Sequence, residues 1–139
     1  MGYIFKSIAQ EFRLDESRMA YGGYSLGGLA AISSLYSSDK MPFIFSICGS
    51  FWYPDFVAYC QSHQLFNRSC SVYLCNGLTE GANHKNRLAK APSFAKEVHE
   101  RIKKQCLSTY SAFDPYGHHD NLQERYDGFS DWLIEEWKL

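Results

Sequence analysis

A serine hydroxyl becomes a strong nucleophile only when a neighbouring base takes its proton. Gly23-Tyr24-Ser25-Leu26-Gly27 sets one serine of this chain where that can be arranged. Arg18-Met19-Ala20-Tyr21-Gly22 before it reads as a strand, and Gly28-Leu29-Ala30-Ala31-Ile32-Ser33-Ser34-Leu35-Tyr36 after it as a helix rich in small residues. Strand, G-x-S-x-G and helix in that order are the sequence form of a nucleophile elbow. Such a turn strains its central residue, and side chains two positions to either side would collide, hence glycine at Gly23 and Gly27. Ser25 then stands at a helix N-terminus, where free N–H groups and the helix dipole favour developing negative charge. The chemistry this serves is acyl transfer, with the Leu26 N–H as half of an oxyanion hole.

Acyl transfer by a serine also needs a base and an orienting acid. Phe113-Asp114-Pro115-Tyr116-Gly117-His118-His119-Asp120 follows the alternating segment Leu107–Phe113, which reads as the last strand, so its histidines fall at a strand end. Between elbow and histidines, the strand-like Cys70–Gly77 leads into Leu78-Thr79-Glu80-Gly81. Glu80 is the acid candidate, with Asp114 and Asp120 as alternatives nearer the histidines. The order is serine, acid, histidine. Tyr24 beside the nucleophile, and Phe51, Trp52 and Tyr53 after the strand Phe43–Cys48, are the substrate-contact candidates. The aromatic trio has a second reading, as a core cluster beneath its loop. His63 ends a predicted helix and His99 lies on a charged helix face, both structural positions, whereas His84 sits in a polar loop near the acid. No His, Cys, Asp cluster has ligand spacing on one element, so neither a metal nor another cofactor is expected.

These residues must be held by something, and periodicity supplies four strand–helix units. Strand Met19–Gly22 leads to a helix from Leu26 to Ser37, and strand Phe43–Cys48 to a short helix over Asp55–His63. Strand Ser71–Cys75 leads to a helix over Ser93–Gln105, and strand Ser108–Phe113 to a closing helix over Leu122–Trp137. Alternation of this kind predicts an α/β fold, a parallel sheet covered by helices on both faces. Gly2–Phe12 repeats its apolar positions at helical spacing and reads as a helix packed just before the nucleophile strand.

The motifs together resemble the α/β-hydrolase serine esterases that include enterochelin-type esterases, S-formylglutathione hydrolases and mycolyltransferases, specifically their C-terminal half. Tyr21–Gly28 matches the nucleophile segment, Ser46–Tyr53 the serine- and tryptophan-bearing strand end, and Asn76–Glu80 the acid loop. Gly117-His118-His119-Asp120 with Arg125, Gly128 and Trp132-Leu133 resembles the histidine loop and final helix. The resemblance implies an ester-cleaving enzyme working through an acyl-enzyme on a small-molecule substrate. It places the base at His119, because the family's glycine-any-histidine spacing from Gly117 falls there. It also implies further strands ahead of the elbow, and the loop carrying the second oxyanion donor. The chain therefore reads as a truncated α/β-hydrolase, a fragment or a minimal relative, lacking the N-terminal strands. A catalytically impaired module acting by binding or assembly is the alternative.

Composition fits one domain over residues 1–139. Hydrophobic residues make up 45% and charged residues 21% of the chain, ordinary for a globular protein. A formal net charge of −1 without a basic stripe leaves nucleic-acid binding no electrostatic support. No apolar run reaches membrane-span length, and the N-terminus lacks signal-peptide zones. The 5 cysteines include no C-x-x-C pair, so a reducing, cytoplasmic setting is expected. Without the preceding strands, Met19–Gly22 would be an open parallel edge beside the apolar Tyr3, Ile4, Phe5 and Ile8. A homodimer, or association with the missing segment through that edge, is the expected cover.

Overall fold

The computed structural model describes residues 15–138. Along them run β1 (Ala20–Tyr24), α1 (Leu26–Ser34), β2 (Phe43–Ile47), α2 (Phe56–Ser62), β3 (Ser71–Gly77), α3 (Ala91–Gln105), β4 (Ser108–Asp114) and α4 (Leu122–Trp137). Short 3-10 turns occupy Glu16–Arg18 and Arg87–Lys90. All pairings are parallel and the sheet order is β1-β2-β3-β4. Successive parallel neighbours need a crossover, which the helices provide. Register aligns Ala20 with Phe43, Phe43 with Ser71 and Ser71 with Ser108. The C-terminal strand ends therefore fall along one rim, and Ser25, Glu80 and the histidine pair all follow from it.

Strand residues alternate between two cores, as a two-residue period demands. Ile44, Val72 and Leu74 face one way and pack with Ala31, Ile32 and Leu35, Phe56 and Cys60, and Ala95, Val98 and Ile102, from the first three strand–helix connections. Ile47, Tyr73 and Cys75 face the other way against Phe129 of α4, with Phe45, Trp132 and Leu133 packed alongside. Both faces of the sheet are thus helix-covered, as expected.

Element boundaries differ slightly from expectation. β1 begins one residue later and runs to Tyr24, so Ser25 directly follows the last strand residue. α1 stops at Ser34 and continues only as a turn. α3 starts at Ala91 with Pro92 in its first turn, where a missing N–H leaves no bond unmade. Among the described residues β1 pairs only with β2 and forms a sheet edge. The helix expected over Gly2–Phe12, with its apolar Tyr3, Ile4, Phe5 and Ile8, lies outside the described residues. No helix among them is long and apolar enough to cross a membrane.

Candidate active site

Ser25 links β1 to α1 with φ 60° and ψ −118°. A non-glycine residue there stores about 1–3 kcal/mol of strain, and the surroundings must hold it. They do so from the end of β2: the Ser25 N–H donates to the Ile47 carbonyl at 3.0 Å, and the Ser50 N–H donates to the Ser25 carbonyl at 3.1 Å. A Cβ on Gly23 would stand 2.9 Å from the Gly27 backbone, so a side chain is excluded there. The expected reciprocal clash at Gly27 is absent, because a Cβ on Gly27 would meet nothing within 4 Å. Leu26 opens α1, and its amide is one of the four that have no acceptor inside a helix.

His118, not His119, meets the serine. Its Nε2 lies 3.0 Å from Ser25 Oγ, and its Nδ1 lies 2.6 Å from Glu80 Oε1. The neighbouring His119 points elsewhere: its Nδ1 is 3.0 Å from the Tyr24 hydroxyl, and the residue is exposed at the cavity rim. The physical reason is how the loop backbone is held. The Tyr24 hydroxyl donates to the His118 carbonyl at 2.9 Å, and its ring stacks on the His118 ring at 4.9 Å between centroids. Arg125 of α4 closes the loop from behind, with Nε and Nη2 each 2.6 Å from the two Asp114 carboxylate oxygens. Burial opposes the charged form of Asp114, but the Arg125 guanidinium and the Tyr116 N–H overcome it and hold the carboxyl below its ordinary range. Asp114 is thereby engaged, and Asp120 lies at the cavity wall. Glu80 is the carboxylate on the histidine.

Glu80 itself is buried, and every contact it makes is accounted for. Its Oε2 accepts from the Gly77 N–H at 2.8 Å and from Asn76 Nδ2 at 3.0 Å, leaving Oε1 to His118. Behind Asn76 stands His99, which is fully buried in the core and not on a solvated helix face. The signal was present in the i, i+4 ladder Ala91, Ala95, His99 beside Val98 and Ile102.

A cavity of about 500 Å³ opens over the serine, lined by Ser25, Ser50, Trp52, His84, His118 and His119 among others. That is ample for a small-molecule ligand. Of the four aromatic substrate-contact candidates, Trp52 alone lines it. Phe51 is 1% exposed and stacks on Phe56 in the core, with its ring against Gly49, where a Cβ would stand 2.5 Å from it. Tyr53 points to solvent, and Tyr24 braces the histidine loop. Ser50 was not singled out by sequence, yet its buried hydroxyl lies 3.3 Å from Ser25 Oγ.

Among the described residues, ligand-type atoms of Cys48, Glu80 and His118 lie within 4.8 Å of one another. Arg125 Nη1, however, sits 2.8 Å from the Cys48 sulfur. A fixed guanidinium at that distance makes the group a poor cation site.

No family model and no curated protein matches the sequence. Solved structures do match. The enterobactin esterase FES from Shigella flexneri superposes with a TM-score of 0.74 at 18% identity, covering 99% of this chain and 35% of that one. The siderophore hydrolase EstA from Aspergillus nidulans gives a TM-score of 0.60 at 15% identity, with 84% of this chain and 48% of that one covered. The Pyrococcus furiosus esterase Pf2001 gives 0.67 at 15% identity, with coverages of 94% and 58%. The fold is that of the α/β-hydrolases. The chain spans about a third of the length of the Shigella esterase.

Proposed function

We propose that this chain carries the catalytic half of a serine hydrolase that cleaves a carboxylic ester, or a related acyl compound, through an acyl-enzyme. One observation carries the reading: Ser25 Oγ, His118 and Glu80 form a continuous hydrogen-bonded line of 3.0 and 2.6 Å at the foot of a cavity. With the Nδ1 proton committed to Glu80, Nε2 presents its lone pair to the serine hydroxyl. His118 takes that proton as Ser25 Oγ attacks the acyl carbonyl, and Glu80 offsets the charge on the imidazolium. The tetrahedral oxyanion forms beside the Leu26 N–H, an interaction worth about 3 kcal/mol in such sites. His118 then returns the proton to the leaving alkoxide, and water releases the acyl group by the same route reversed. The structural kinship with the enterobactin esterase and with two other ester- or siderophore-cleaving proteins supports an ester as substrate.

The test is hydrolysis of p-nitrophenyl acyl esters by the chain and by Ser25→Ala. Turnover that disappears in the folded variant supports the reading. Equal turnover by both proteins would overturn it.

A further inference from the structure

Beyond the three groups in line, a second buried row of side chains ends on the same carboxylate. Asn76 Oδ1 lies 2.8 Å from His99 Nε2, and His99 Nδ1 lies 2.8 Å from the Ser111 hydroxyl. Asn76 and His99 are each 1% exposed, and Glu80 is 5% exposed. The direction of every bond in this row follows from its last member. Glu80 Oε2 already accepts from the Gly77 N–H, so it faces Asn76 as an acceptor, and Asn76 must turn its amide nitrogen there. The amide oxygen is then left for His99, which must hold its proton on Nε2, and the bare Nδ1 must accept from the Ser111 hydroxyl. Reversing any one member would set two donors, or two acceptors, against each other around the buried Asn76 and His99.

A histidine is an expensive choice for the core stripe of α3, where Ala95, Val98 and Ile102 are its neighbours. Phe113 and Phe51 pack their rings against it at 4.4 and 6.3 Å between centroids, closing it off further. Leucine would fill the place at lower cost, yet it would leave the buried Asn76 amide oxygen without a donor.

Building on the hydrolase reading, we propose that His99 and Asn76 are positioning residues that hold the Glu80 carboxylate in the orientation His118 requires. His99 anchors the Asn76 amide through its oxygen, and the amide nitrogen so held tethers Oε2 so that Oε1 meets the imidazole. Burial, reinforced by the positive charge of Lys103, pulls the His99 imidazole down to about 3, so it stays neutral and keeps this one-donor, one-acceptor pattern at any working pH.

The experiment compares the wild type with His99→Leu and His99→Gln, the latter carrying an amide N–H that can replace the ring donor. Two quantities are read on folded protein: ester kinetics, and the low-field NMR resonance of the His118 Nδ1 proton bonded to Glu80. In His99→Leu, kcat should fall about tenfold or more, as small displacements of catalytic groups do. KM should stay within about twofold, since substrate contacts are untouched. The His118 proton should move upfield, and His99→Gln should recover both. An unmoved proton with wild-type kcat in His99→Leu, or equal losses in both variants, would overturn the proposal. Should His99→Leu fail to fold, Ser111→Ala replaces it, and a His118 proton unshifted there would overturn the proposal equally. The proton is read without turnover, so unchanged hydrolysis by Ser25→Ala would refute the hydrolase reading while leaving this question decided on its own.

Discussion

Acid should weaken this fold through His99 before it does so through Asp114. An ordinary histidine takes its proton near pH 6.5, whereas the buried His99 imidazole resists until about 3. Between those values the unfolded chain binds one proton that the native chain does not. Stability therefore rises with pH across that window and is lost as pH falls through it. The slope is about 1.4 kcal/mol per pH unit. At pH 5 this amounts to roughly 2 kcal/mol lost relative to neutral pH. Asp114, whose carboxyl the Arg125 guanidinium holds down against the opposing effect of burial, contributes in the same sense only below its ordinary value of 3.8. The two windows overlap only between 3.8 and about 3, well below pH 5. Urea unfolding of the wild type and His99→Gln at pH 7.5, 6 and 5 isolates the effect, because groups common to both proteins cancel. The wild type should lose about 2 kcal/mol more than the variant between the first and last pH. Parallel loss in the two proteins would refute a neutral, buried His99.

Ser50→Ala removes a hydroxyl 3.3 Å from Ser25 Oγ, and kcat for ester hydrolysis should fall about fivefold, the worth of one hydrogen bond. Arg125→Met removes the partner of the part-buried Asp114 and releases the histidine loop; thermal or urea unfolding should register about 2–3 kcal/mol of destabilisation, as for a lost charged hydrogen bond. Gly28→Ala would drive a methyl into Ser46 and the Gly49 backbone where α1 crosses β2, and unfolding should show about 1–3 kcal/mol lost.

The fold was legible because its elements announce themselves locally. The apolar runs of Phe43–Ile47 and Val72–Cys75, the alternation of Leu107–Phe113 and the apolar stripe of the helix before Gln105 each fix an element without reference to the rest. The elbow was legible for the same reason: glycine at Gly23 and the small residues of α1 are demanded by the turn itself. The base was not. His118 and His119 are chemically identical and adjacent, and the choice rests on Tyr24, Glu80 and Arg125, which are distant in sequence or belong to another element. Phe51 misled through its type, since an aromatic beside a strand end serves a pocket wall or a core equally well, and only the packing of Phe56 and His99 against it decides. His99 misled in the opposite way. Its spacing from Ala91 and Ala95 marked it as buried, but an imidazole in a core is worth its desolvation only if partners await it, and Asn76 and Ser111 come from other strands.

The central claim is that Ser25 is activated by His118, and covalent labelling by a fluorophosphonate tests it most directly. The wild type should form an adduct whose mass maps to Ser25. His118→Ala should slow labelling by orders of magnitude, and His119→Ala should leave its rate within about a factor of ten, the worth of one peripheral hydrogen bond. An adduct on another residue, or a protein that labels normally without His118 and fails without His119, would contradict the account.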